Sequence, residues 1–505
     1  LTGQRVIRTT ARVTTLDKKD ASGNLIGVDD NAICIYELSG GAMGTMTASW
    51  TYYGAEDNST ILYGTKGIMR IYDDPAAAIK VILTDGSKIS YDVEAIQTND
   101  NQTKSGVIDL WMDSLMREVY LWYEDIPAAN SLNYFQAPDA FLKSILSKND
   151  KGFSTVDSIM DTPLPSYGFD YTLYKVATSD TTYTALVSYV AKNSPAEDAG
   201  LERGNWIMLV DGDSITKKTE ERLIDGGART LRIGKYVIVK EENNGGTEGD
   251  TENGENEEEE EDKEVGIIQE TGDVALPAVR PVTESAIYDT NFIQLKGTDY
   301  KIAYLAYNSF TAGTAEQSEK YNNELRAFSQ ECKQRGINNL VLDFRYNSGG
   351  EMECVQLLAD ILVPADKLES PFAFLQYNDK QSAQNRDLIL DSQLLQGGVN
   401  LNLPTVYIIT SGTTAGAAEM LINCLKPYMK VVLIGQTTKG EYVATETFIN
   451  PKYPWAVRPV VCEVFNSNGE ADYSAGFKPD IAINETYYLQ YYLPLGEPDE
   501  ILLHT

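Results

Sequence analysis

The stretch V406-YIITSGTTAGAAEMLINCLKPY-M429 decides how this 505-residue chain is read. Its first half, VYIITS, is apolar and β-branched, the composition of a strand buried on both faces. A run of Gly, Thr and Ala then breaks the strand, and AAEMLINCLKPY (417–428) follows with helical spacing. Working outward, the same alternation recurs. KIAYLAYNSF (301–310), NNLVLDFRY (338–346) and KVVLIG (430–435) read as further buried strands. SEKYNNELRAFSQECKQRG (318–336) and MECVQLLADIL (352–362) read as the helices between them. Strands alternating with helices predict an α/β layer built on a largely parallel sheet, from about residue 274 to 505.

Upstream, the stretch Glu241–Glu264 holds thirteen acids and one lysine with no apolar side chain, and so accounts for −12 of the formal net charge of −32. Such a run cannot bury enough surface to offset its ordering entropy, and a solvated acidic linker over 241–273 is expected. Residues 161–240 carry short strands around the turn-rich segment SPAEDAGLERGNWIMLVDGDSI (194–215). The pattern VIDLWMDSLMREVYLWY (107–123) switches to helical spacing, and a helical segment is expected over 111–160. Residues 1–110 alternate in the β manner, as in AICIYEL (32–38) and IKVILTDG (79–86), which predicts a mostly antiparallel sheet domain. The expected fold class is therefore multidomain α+β and α/β. At roughly 150 residues per domain the length suits about three domains.

Composition narrows the chemistry. Acidic residues outnumber basic ones 74 to 42, which disfavours nonspecific nucleic-acid binding through phosphate neutralisation. The single histidine, His504, leaves little room for Ser-His-Asp triads, Cys-His pairs or histidine-rich metal sites. The five cysteines are widely spaced, without a CxxC pair, and read as small buried hydrophobes; no metal and no cofactor is expected. No run of eighteen apolar residues suggests a transmembrane segment. The chain opens on Leu1 without Met or a signal pattern, so a removed leader or a fragment is expected.

Two resemblances organise these readings. GAMGTMTASWTYYGAEDNSTILYGTKGIMRIYDDP (41–75) resembles the C-terminal sheet domain of the glucose-fructose oxidoreductase and inositol dehydrogenase family. The glycine fingerprint and upstream lysine that dehydrogenase chemistry needs are missing, so a fragment of a sugar oxidoreductase is the remote alternative. From about Leu115 onward the chain resembles the C-terminal processing peptidases, or tail-specific proteases, in their bacterial envelope form. YLWYEDIP (120–127) is similar to that family's N-terminal helical region, and SYGFDY (166–171) lies where the family's PDZ domain has its carboxylate-binding turn. The resemblance implies Gly168, Phe169 and Asp170 as peptide-binding residues, with extended peptides or protein C-termini as partners. It also implies a periplasmic or envelope location.

In LVLDFRYNSGGEM (340–352) the resemblance puts Gly349 and Gly350 at the backbone oxyanion position, where a close approach of substrate favours glycine. In active members of the family a serine lies three residues before the glutamate of the 406–429 motif, and a lysine base follows twenty-five residues after that serine. Here those positions hold Gly416 and Glu441. The resemblance therefore implies a serine-type peptidase fold whose dyad is missing, and a hydrolytically inactive peptide binder. The alternative is an active endopeptidase that uses Thr413, Thr414 or Ser411 with Lys439 as base. Glu441, two residues from Lys439, argues against it by favouring the charged ammonium. Asp343 and Arg345 are expected to pair within the core. VCEVFNSNGEADYSAGFKPDIAINE (461–485) is similar to the family's closing segment.

Overall fold

A computed structural model of the chain describes residues 6–14, 22, 31–39, 43–49, 60–64, 66–71, 79–91, 93–159, 164–179, 181–241 and 263–505. The chain divides into two compact units. One comprises Leu1–Asp113 with Pro127–Ile145, the other Ser114–Ile126 with Leu146–Thr505.

In the first unit, seven strands from Val6–Thr14 to Lys88–Tyr91 pair in sequence order as an antiparallel meander. The helix expected from residue 107 begins earlier and spans Val93–Val119. Its first turns, VEAIQTNDNQTKSG, are polar from Gln97 onward and carry no apolar period that would reveal a helix. The short helix Pro138–Ile145 buries Phe141, Leu142 and Ile145. Nearby, Tyr134 donates to Asp113 at 2.9 Å.

The second unit is built on three main sheets. The central one runs Ile287–Gln294, Lys301–Tyr307, Asn339–Asp343, Thr405–Thr410, Lys430–Gly435 and Ile481–Ala482, antiparallel at the first pair and parallel thereafter. The helices Lys320–Arg335, Met352–Leu362 and Ala417–Leu425 connect its strands. All nine residues of Ala417–Leu425 are buried. Such a helix needs no polar face. Each of Met420, Leu421, Ile422 and Leu425 contributes roughly 1.5–3 kcal/mol by leaving water, so a change such as Leu421→Ala costs about 2–5 kcal/mol.

A second, antiparallel sheet is ordered Phe169–Lys175, Tyr183–Val190, Asn205–Val210, Arg229–Glu241 and Lys263–Leu276. Phe169–Lys175 lies at its edge. The linker expected over 241–273 is corrected here: Lys263–Leu276 is a strand, paired with Arg229–Glu241 from Glu241↔Lys263 to Arg229↔Leu276 with one shift of register between Ile233 and Gly234. The acidic charge hides alternating apolar residues such as Val265, Ile267 and Val274 on its C-terminal side. Most of the acidic run, residues 242–262, lies outside the described residues. A third sheet orders Arg386–Ile389, Pro371–Tyr377, Val460–Asn466 and Val443–Thr445, the last at its edge. Thr155–Ser158, expected among helices, pairs instead with Trp455–Arg458.

Asp343 and Arg345 do pair, within a larger buried cluster. Arg345 reaches Asp343 at 2.6 Å, Glu500 at 2.8 Å and Glu485 at 2.5 Å. Arg203, from the second sheet's domain, joins Glu485 at 2.7 Å and stacks its guanidinium 3.6 Å from the centre of the Tyr492 ring. The cluster ties that sheet to the central one, because a buried charge is tolerated only with its partners in place.

Candidate functional site

The turn between the strand Thr405–Thr410 and the helix Ala417–Leu425 ends on Gly416, with φ +54° and ψ −116°. Side-chain-bearing residues rarely adopt that backbone, which glycine accepts freely. A sharp strand-to-helix turn of this kind lifts its residue out of the surrounding packing and toward any cleft above it. Gly416 carries no atom beyond Cα into that space.

Glu441 arrives from the loop after Lys430–Gly435. A Cβ on Gly416 would lie 3.6 Å from the Glu441 carboxyl carbon and from its Oε2, and 3.5 Å from Gly349 Cα. The two positions singled out by their spacing therefore face each other across one gap. Burial pushes the Glu441 carboxyl up to about 7; Lys439 opposes that rise, while Glu419 and Asp150 add to it.

Glu419 determines where Glu441 sits. Fully buried on the helix, it accepts from Thr438 Oγ1 at 2.5 Å, from Gly440 N–H at 2.7 Å and from Glu441 N–H at 2.7 Å. Thr438 Oγ1 in turn accepts from Phe477 N–H at 2.8 Å. Sequence reading treats Glu419 only as a landmark for counting; its position facing the loop twenty residues later is what makes it a clamp.

The glycine turn lies opposite. Phe310 N–H donates to Gly349 O at 3.0 Å and Phe310 O accepts from Glu351 N–H at 2.6 Å. A parallel bridge of this kind directs the N–H and C=O of Gly350 away from Phe310. The Gly350 N–H has no hydrogen-bond partner among the described residues. Gly349 differs from expectation: its N–H donates to Asn347 Oδ1 at 3.0 Å and is not available to a ligand. Asn347, buried, also donates to Tyr307 O at 2.7 Å and accepts at its own carbonyl from Ala415 N–H, which locks the two turns together. Ala417, the first residue of the helix, presents an N–H that no helical carbonyl can take. Asn347 and Ala417 were not legible as site residues; the only signal was their position next to the glycines.

Gly349, Gly350, Gly416, Ala417 and Glu441 line one cleft of about 620 Å³, together with the edge strand Val443–Thr445. The proposed substitutes are not in it. Lys439 is exposed, with its ammonium 5.7 Å from the centre of the Phe153 ring. Thr413 and Ser411 each donate to Arg345 O at 2.6 Å, and Thr414 donates to Phe344 O at 2.7 Å. These hydroxyl protons are committed to backbone carbonyls, and none of them meets Lys439.

Gly168, Phe169 and Asp170 line a separate pocket of about 210 Å³ with Tyr167, Leu223 and Ile224. Gly168 has φ +75°, and its carbonyl accepts from Ala191 N–H at 2.7 Å. A space of about 720 Å³ shares Asp170, Tyr189 and Glu284 with this pocket and Ser348 with the cleft, and so lies between them.

Comparison with known proteins places these features in a family. Residues 301–483 match the model of peptidase family S41, and residues 108–155 that of the peptidase S41 N-terminal domain. Residues 1–70 match the GFO/IDH/MocA C-terminal domain. The crystal structure of a putative S41 protease from Bacteroides fragilis is 46% identical, with a TM-score of 0.71, covering 78% of this chain and 95% of that one. The carboxy-terminal processing protease CtpA of Bacillus subtilis is 23% identical over 298 residues, 59% of this chain and 52% of that protein. A carboxy-terminal-processing protease of Bartonella bacilliformis is 21% identical over 320 residues, 61% of each chain. The chain thus spans about half to three-fifths of the length of these two curated relatives.

Proposed function

The chain belongs to peptidase family S41, and from that premise we propose that it binds extended peptides or protein C-termini without hydrolysing them. One observation carries this reading. The gap where a nucleophile and its base would meet is framed by Gly416, which has no side chain, and by a carboxyl group. A carboxylate cannot activate a hydroxyl that Gly416 does not carry, and the hydroxyls of Ser411, Thr413 and Thr414 donate elsewhere.

Peptide capture has its own support. Val443–Thr445 is an outer strand lining the cleft, and an extended peptide can add to such an edge through backbone hydrogen bonds. Phe169–Lys175 offers a second edge beside the Gly168 turn, in keeping with a PDZ-like role for residues 161–240. An envelope location goes with the same reading and rests on the family resemblance. No helix among the described residues is long and apolar enough to cross a membrane.

The test is incubation with unfolded casein. No cleavage is expected, and Lys439→Ala should leave that result unchanged. Turnover that disappears in Lys439→Ala would overturn the reading in favour of a threonine-type endopeptidase. Binding of a peptide equally well as free acid and as C-terminal amide would remove the C-terminus from the proposal and leave the extended segment.

A further inference from the structure

The walls of these three neighbouring spaces carry a marked imbalance of charge. Asp170 and Glu284 line the pocket beside Gly168, Glu316 the middle space, and Glu351, Glu441 and Glu446 the cleft. Arg386 is the one basic residue that lines any of the three, and its guanidinium already donates to Tyr377 Oη at 3.0 Å. Within the cleft, Glu441 differs from the other acids. It is partly buried, it faces the space left by Gly416, and no Lys or Arg pairs with it among the described residues. Lys439, its nearest cation in sequence, is turned toward Phe153. In the same cleft the Gly350 N–H has no acceptor among the described residues. A carboxyl and an amide N–H in one cleft that an edge strand also lines match a peptide that brings a cation and a carbonyl.

We propose that the ligand of this cleft is an extended segment carrying lysine or arginine, whose cationic side chain pairs with Glu441 while a backbone carbonyl of the same segment accepts from Gly350 N–H. The inference rests on the peptide-binding reading and adds the class of peptide. The wall acids raise the local concentration of cations, and a partly buried ion pair adds selectivity beyond that general field. The charged groups whose fields reach Glu441 are Lys439 on its own loop, Glu419 on the helix and Asp150 on the segment before Thr155–Ser158. Glu351, Arg386, Glu446, Tyr377 and Tyr473 complete the walls. Because the free Glu441 carboxyl titrates near 7, it loses its charge, and so its attraction for a cation, as pH falls below that point.

The experiment uses the full chain and fluorescein-labelled dodecapeptides of Ala, Ser and Val with lysine, norleucine or glutamate at the centre, read by anisotropy. At pH 8 the lysine peptide should bind at least tenfold more tightly than the norleucine peptide, and the difference should shrink to less than threefold at pH 5.5. Glu441→Gln should abolish the preference at pH 8, whereas Glu446→Gln should retain most of it. Glu441→Lys, in a sample whose thermal melt remains cooperative, should reverse the order in favour of the glutamate peptide. Equal binding of the lysine and norleucine peptides by the native chain at pH 8 overturns the inference and leaves peptide binding standing. A lysine preference that survives Glu441→Gln also overturns it. If all three peptides fail to bind, or are cut, the underlying reading falls and the inference with it.

Discussion

Glu441 holds its carboxyl 3.6 Å from the point where a side chain on Gly416 would begin. Two residues twenty-five positions apart thus face each other across the cleft, and neither has the chemistry that a serine-lysine pair requires. The rest of the surrounding frame is in place: the Gly350 amide, the helix start at Ala417 and the edge strand Val443–Thr445.

Restoring the pair should therefore restore chemistry. Gly416→Ser with Glu441→Lys is expected to cleave unfolded casein, while either substitution alone is not, since a nucleophile without its base is weak. The serine would sit at φ +54°, at a cost of about 1–3 kcal/mol. A lowered melting temperature should accompany the gain. A folded double variant with no turnover in a gel-based assay would show that the frame lacks more than the pair.

Glu419→Ala should be strongly destabilising. It removes the acceptor of Thr438 Oγ1 and of the Gly440 and Glu441 amides, leaving buried donors unpaired at about 1–3 kcal/mol each. Urea denaturation should show a total loss of several kcal/mol, and Glu419→Gln a smaller one. If Glu419→Ala melts like the native chain, the clamp is not what holds the loop.

Arg345→Met leaves the buried Asp343 without its cation and Glu485 and Glu500 with Arg203 alone, and is expected to cost about 3–5 kcal/mol. The same cluster sets an acid limit. Burial alone would raise Asp343 and Glu485, but Arg345 outweighs it and holds both below the usual carboxylate range. Their contribution is present above the ordinary carboxylate pKa and is lost as pH falls through the lowered values. Melting temperature should drop steeply below about pH 4 in the native chain, and less steeply in Arg345→Met.

Asp360 runs the other way. It is fully buried on the helix Met352–Leu362, its carboxyl oxygens have no hydrogen-bond partner among the described residues, and burial, reinforced by Asp391 and Glu369, raises it to about 8. The folded state must keep a proton that the unfolded chain releases near pH 4, so stability falls by about 1.4 kcal/mol per pH unit between those values. Asp360→Asn should raise the melting temperature, with a gain that grows from pH 4 to pH 8 and then levels off. An equal gain at every pH in a melting series would show that Asp360 does not titrate there.

Much of this was legible in the sequence because the central sheet is buried on both faces. VVLIG and VYII are unbroken apolar runs, and they form the bulk of Lys430–Gly435 and Thr405–Thr410. The strand Lys263–Leu276 escaped notice because it is exposed along much of its length and starts within an acidic run, so composition outweighed alternation. Within the site, the spacing of Gly416 and Glu441 could be counted, but no spacing reveals that Asn347 takes the Gly349 amide or that Glu419 clamps the loop. Those are contacts between segments far apart in sequence, made only when the helix and the glycine turn are brought together.

The pairing of Glu241 with Lys263 has a consequence for the acidic run between them. Glu241 and Lys263 themselves stand at neighbouring positions one strand spacing apart. Lengthening the chain that connects two such positions costs only about 0.6 kcal/mol for each doubling. The sequence between them can therefore be lengthened or shortened with little effect on the rest of the fold. Evolution, or an experimenter placing a tag, can rewrite it while Gly416 and Glu441 stay where they are.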